Sequence, residues 1–153
     1  MNPLDIFQTS LDAVTQAVRA GDFAAYMALI DLPYLVQTRN ATFLVTTAEE
    51  MRPTFDAMVT GLRARGITHY ERVARSADYV ARDRIDGWHY SHLMVNGERI
   101  ASPHLSRHAL VRRGALWLFS EAQYDRLETS SWPFSEADIF GHADYPLTGP
   151  AHA

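Results

Sequence analysis

Histidine and glutamate are the side chains of this sequence best suited to chemistry near neutral pH. An imidazole beside a carboxylate in an apolar pocket can take up or release a proton there. The histidines are His69, His89, His92, His104, His108, His142 and His152. Several lie in stretches of period-two patterning, where alternate side chains share one face of a strand. His89, Ser91 and Leu93 fall on one such face, and Trp88, Tyr90 and His92 on the other. The following strand groups His104, Ser106, His108 and Leu110, and the last groups Phe119, Glu121 and Gln123. His104 and His108 have the spacing of a metal pair on a helix. On a strand they stand about 13 Å apart, too far for one ion whose ligands lie at about 2.1 Å. No metal site and no cofactor are expected. The chain also lacks a His-Glu-x-x-His helix, a Gly-x-Ser-x-Gly elbow, a P-loop and a Gly-x-Gly-x-x-Gly turn.

Composition narrows the classes further. The 153 residues suit one domain, which at this length buries roughly 70% of the surface of the unfolded chain. Cysteine is absent, and all 14 basic residues are arginine. Thiolate chemistry, disulfides and lysine Schiff bases are thereby excluded. Lysine-free, Ala/Arg-rich usage points to a GC-rich bacterial genome. A net charge of −4 argues against a nucleic-acid binder. Arg72, Arg75, Arg82 and Arg84 are interleaved with Asp78, Asp83 and Asp86, which reads as a solvated surface of mixed charge. The opening Met1 to Asp5 lacks a signal-peptide pattern, and no apolar run approaches the ~20 residues that cross a bilayer. A cytoplasmic protein without a membrane partner is the expectation.

The elements that must carry these residues follow from periodicity. Leu4, Phe7, Leu11, Val14 and Val18 share one face of a first helix, with Pro3 at its start and Gly21 at its end. Asp22 caps a second helix with Phe23, Met27 and Ile30 on its buried side, stopped by Pro33. Residues 34–38 and 42–46 form a hairpin about Arg39-Asn40-Ala41. Thr47 to Glu50 has the form of a capping box ahead of a Met51, Phe55, Met58, Leu62 stripe, in which Pro53 marks a kink or the true start. Strands are expected near 67–75, 79–86 running into 88–95, 99–113 and 115–125. Asn96-Gly97 and Arg113-Gly114-Ala115 are tight turns, and Pro103 predicts a bulge or bend near 101–106.

Two stretches carry a family resemblance. Ala17 to Tyr26 resembles the helix, Ala-Gly-Asp, apolar, helix opening of the nuclear transport factor 2-like superfamily. Leu110 to Trp117 resembles its strand, turn and Trp-bearing last strand. The resemblance implies an α+β fold over residues 1–126. This is the cone-shaped, cystatin-like α+β barrel, with three N-terminal helices packed on a curved, mostly antiparallel sheet. Residues 127–153 would then form an extension on the domain or on a dimer partner, its end expected to be disordered. The superfamily includes ketosteroid isomerases, scytalone dehydratases, limonene epoxide hydrolases, SnoaL-like cyclases, and binding or association domains. Counting from Gly21, the catalytic aspartate slot of the isomerases falls at Thr38 and their first-helix tyrosine at Val14. Their second aspartate falls at His108 or Leu105. None of these residues performs those roles, so ketosteroid isomerase chemistry is not expected. The Arg-Asp pairing of the epoxide hydrolases is not evident.

By the same resemblance the cone is lined by Val14, Tyr34, Thr38, Phe55, His89, Ser91, Ser106, His108, Phe119, Glu121 and Gln123. His89, His108 and Glu121 are the acid–base candidates, the alternative being that Glu121 pairs with Arg107 or Arg112. Trp88, Tyr90 and His92 would cover the outer sheet face and form a homodimer contact. The leading expectation is a domain binding a small hydrophobic ligand. The others are a SnoaL-like isomerase, dehydratase, cyclase or hydrolase using His/Glu, and a dimeric association module without ligand.

Overall fold

The computed structural model describes residues 2–38, 41–100 and 103–124. Helix α1 (Pro3–Ala20) is capped by Asn2, whose side chain accepts the Leu4 N–H. It ends at Gly21 with φ 67°, a left-handed conformation that favours glycine. Helix α2 (Phe23–Met27) is capped by Asp22. There follow β1 (Ile30–Gln37), β2 (Thr42–Val45), α3 (Ala48–Ala64), β3 (His69–Ala81), β4 (Arg84–Val95), β5 (Glu98–Arg99), β6 (His104–Arg113) and β7 (Leu116–Tyr124). The sheet runs β2-β1-β7-β6-β4-β3, with β5 paired to β4. It is curved and unclosed, and every pairing is antiparallel except β1 with β7. The helices pack on one face of it, giving the expected α+β architecture.

Several boundaries differ from expectation for local physical reasons. The second helix stops at Met27, and Ile30 opens β1 with Pro33 inside it. Proline has no N–H for a ladder. Pro33 sits where β1 skips its pairing with β7, between Ile30 and Leu35. Pro53 lies inside α3 and does not start it. The helix begins at Ala48, with Thr47 accepting the Glu50 N–H. Residues 79–81 belong to β3, and the hairpin turns at Arg82-Asp83 rather than near 76–78. The Ser76-Ala77-Asp78 break is absorbed as a bulge at Arg75. Gln8 of α1 stabilises this edge. Its amide donates to the Arg72 carbonyl at 2.8 Å and accepts the Ala74 N–H at 2.7 Å. A helix side chain thus blunts an edge strand whose backbone would otherwise be open to another chain.

The Asn96-Gly97 hairpin forms with both residues at positive φ, 49° and 87°, as a primed turn demands. The expected long strand 99–113 divides into β5 and β6, the latter opening just after Pro103. Phe7, Leu11, Met51, Phe55, Ile85, Leu93, Leu110 and Phe119 fill the core between helices and sheet. Phe7 lies directly on Gly87, where a Cβ would come within 2.5 Å of the ring. The missing side chain lets α1 settle onto β4 beside the histidines. No described helix is long and apolar enough to cross a membrane. Arg39, Asn40, Ala101, Ser102 and the 127–153 extension lie outside the described residues.

Candidate functional site

A line of polar side chains crosses the helix-covered face of the sheet in the order of its strands. Strand β3 contributes Tyr70 and Arg72, β4 His89, β6 His108, β7 Tyr124 and β1 Tyr34. His89 and His108 meet because β4 and β6 pair His89 with Ser106 and Gly87 with His108. The two rings are then diagonal neighbours, with Gly87 directly opposite His108 on β4. Their planes stack at 4.8 Å, and Nε2 of His89 lies 2.9 Å from Nδ1 of His108. Nε2 of His108 faces the Tyr124 hydroxyl at 3.5 Å, and Tyr124 bonds Tyr34. Phe7 packs beside His89 and Phe119 meets His108 edge-on. His89 is 1% exposed and His108 3%. Ser91 and Ser106 are buried on the same face.

Burial sets the protonation of this line. Desolvation, and then the Arg72 charge, push His89 down to about 3. Desolvation, then His89, Arg72 and Arg107, drive His108 well below the ordinary histidine range. Both rings are therefore neutral at pH 7. One nitrogen of the facing pair holds a hydrogen and the other a lone pair, so the two tautomers are locked to each other. Nδ1 of His89 is buried without a well-formed hydrogen bond among the described residues. The Tyr90 backbone beside it offsets only part of the depression. Burial raises the phenols of Tyr26, Tyr34 and Tyr124, which stay protonated as donors.

Glu121 does not join the histidines. Phe119 and Ala122 are both buried, so the inward face of β7 changes parity between them. The cause is a bulge: Leu110 pairs with Phe119 but Ala109 with Glu121, leaving Ser120 over. Glu121 and Gln123 thereby turn to the outer face. There Arg107 bonds Glu121 at 3.0 Å and Gln123 at 3.1 Å, while Arg84 bonds Glu121 at 3.1 Å. Asp86 closes the network at 3.2 Å from both arginines. Partial burial opposes ionisation of Glu121, but the Arg107 and Arg84 bonds outweigh it and hold its carboxyl below the usual range. The alternative pairing with Arg107 is the one found. Tyr124 occupies the inward position that strict alternation would deny it.

The other expected lining residues divide. Val14 and Phe55 are core, Phe55 packing at 5.3 Å from Phe23 and 5.0 Å from Tyr26. Thr38 closes the end of β1, its Oγ1 accepting the Ala41 N–H at 3.0 Å. Trp88, Tyr90 and His92 alternate with the buried residues of β4 and so face outward. Arg72 overturns the reading of a solvated arginine cluster. It is only 8% exposed, on the inward face with Tyr70, and its Nε donates to the Tyr70 hydroxyl at 2.7 Å. Alternation along β3 pairs Arg72 with buried Tyr70, a pattern that could have placed it inside. A separate groove of about 100 Å³ lies between the ends of α1 and α3, lined by Val18, Arg19, Val59, Leu62, Arg63 and Ile67. It is small beside the roughly 300 Å³ at which small-molecule pockets begin, and lies away from the histidines.

No family model matches the sequence, and no curated protein does. Solved structures do match. A nuclear transport factor 2-like protein of unknown function from Shewanella oneidensis superposes with a TM-score of 0.56 at 9% identity, covering 80% of this chain and 98% of that one. A cystatin-like-fold domain of unknown function from Nostoc punctiforme gives 0.60 at 11%, covering 84% and 79%. A candidate ketosteroid isomerase from Shewanella frigidimarina gives 0.58 at 13%, covering 76% and 91%. The chain therefore has the nuclear transport factor 2-like, cystatin-like fold. Identities this low establish architecture and leave function to the site.

Proposed function

We propose that this chain is a small-molecule-binding domain, its ligand held under the helices against the polar line that crosses the sheet. The carrying observation is that line itself, from Tyr34 through Tyr124 and His108 to His89. Buried polar groups are expensive unless fully paired, and apolar residues of similar size would serve a purely structural core as well or better. A ligand offering apolar surface and a few polar atoms explains why they are kept. Native mass spectrometry of the purified protein tests this directly. A co-purifying small molecule released on denaturation supports it. A bare protein whose melting temperature no small molecule raises overturns it.

A second reading, acid–base catalysis, is favoured by the His89–His108 contact at 2.9 Å. Without Glu121 in the site, the partner groups are His89 and Tyr124 rather than a carboxylate. Neutral His108 would act as the proton acceptor and Tyr124 as the donor. We also propose a homodimer through the outer face, where Val73, Tyr90 and Trp88 lie together and Trp88 is 39% exposed. A cytoplasmic location fits such a domain.

A further inference from the structure

Among the described residues of the interior, Arg72 is a feature that a neutral ligand would not explain. Its guanidinium is permanently charged and 8% exposed. Among the described residues its side chain makes one hydrogen bond, from Nε to the Tyr70 hydroxyl at 2.7 Å, and no carboxylate pairs with it. Its ring contact with Tyr70, at 5.1 Å, is likewise uncharged on the partner's side. The acids nearest in sequence, Glu71 and Asp78, lie on other positions of β3, Glu71 being exposed beside His69. Its Nη atoms are not among the buried unpaired atoms, so they keep contact with solvent at the edge of the interior, and an anion reaching them would supply the counter-charge that the described side chains lack. The remaining guanidinium N–H groups, unbonded among the described residues, form the planar fork that matches a carboxylate. Tyr70 strengthens the match. Its oxygen accepts from Arg72, so its own hydrogen is left to donate to the same anion.

We propose that the ligand is an organic monoanion, a carboxylate on an apolar body, with Arg72 and Tyr70 receiving the carboxylate. This rests on the binding reading above and narrows it to a ligand class. A phosphate dianion fits less well, because the histidines of the line are neutral and a second positive charge is missing from it.

The test compares benzoate, phenylacetate and octanoate with their primary amides, and with inorganic phosphate, by calorimetry and thermal shift on the full chain. The acids should bind about tenfold or more tighter than the matching amides, the difference between a charge-assisted and a neutral contact. Phosphate should not compete. Arg72→Met should erase the preference for acids, and Arg72→Lys should restore part of it. The ligand-free Arg72→Met protein should melt at the same temperature as wild type or higher, since no ion pair is lost and a similar apolar stem is kept. Amides binding as tightly as acids would overturn the anion assignment and leave the binding domain standing. A large drop in melting temperature for Arg72→Met would overturn it too, by making Arg72 structural. If neither acids nor amides bind, and native mass spectrometry finds no ligand, both readings fall.

Discussion

His89 and His108 are held neutral by burial and by nearby positive charge, Arg72 above all for His89, and this has a measurable consequence. A group with a folded pKa below its unfolded value binds more protons when unfolded. Its contribution to stability is complete above the unfolded pKa and is lost as pH falls toward the folded one. For His89 that window runs from the ordinary 6.5 down to about 3, and His108 shifts in the same direction. The urea midpoint should therefore hold near pH 7 and fall progressively below about pH 6.5. His89→Gln should flatten this slope relative to wild type. An unchanged slope would mean that the rings are hydrated and titrate normally. The catalytic reading is tested at the same residue pair: His108→Gln, which keeps most of the buried volume, should abolish turnover of any substrate found while the protein stays folded. A parallel loss of folding would make His108 structural.

At the scale of elements, the site depends on how closely α1 approaches the sheet. Phe7 is fully buried on Gly87, where an added Cβ would meet its ring at 2.5 Å. Gly87→Ala should destabilise the fold by about 1–3 kcal/mol, the usual range for overpacking, as read from chemical denaturation. A neutral result would show that α1 is mobile against β4. The β7 bulge acts at this scale as well. One extra residue at Ser120 sends Glu121 out to Arg84 and Arg107 and brings Tyr124 in.

For the whole molecule, the proposed homodimer would form through the outer sheet face. It combines Val73, Trp88 and Tyr90 with the Arg84, Asp86, Arg107 and Glu121 network. A two-fold contact would bring aromatic surface together at its centre with charges at its rim. Light scattering at micromolar concentration should report a dimer, and Trp88→Glu should shift it to monomer without altering the circular dichroism spectrum. A monomeric wild type would leave the outer face without the proposed partner.

Local rules settled a good deal from the residues alone. The apolar stripes of α1 and α3, the caps at Asp22 and Thr47, and the Asn96-Gly97 turn each depend on neighbours within one turn of chain. Alternation within a regular strand placed His89, Ser91, Ser106 and His108 on one face, and it held because β4 and the first part of β6 run without a bulge. It failed on β7, because period two propagates only until an extra residue enters, and one residue reverses every side chain beyond it. It failed to find the long β3 because Gln8, sixty-six residues from Ala74, satisfies the backbone at the irregularity. Arg72 was hidden for a related reason. Whether an arginine is solvated or buried depends on what packs over its strand, and that is decided only when the distant helices close over the sheet.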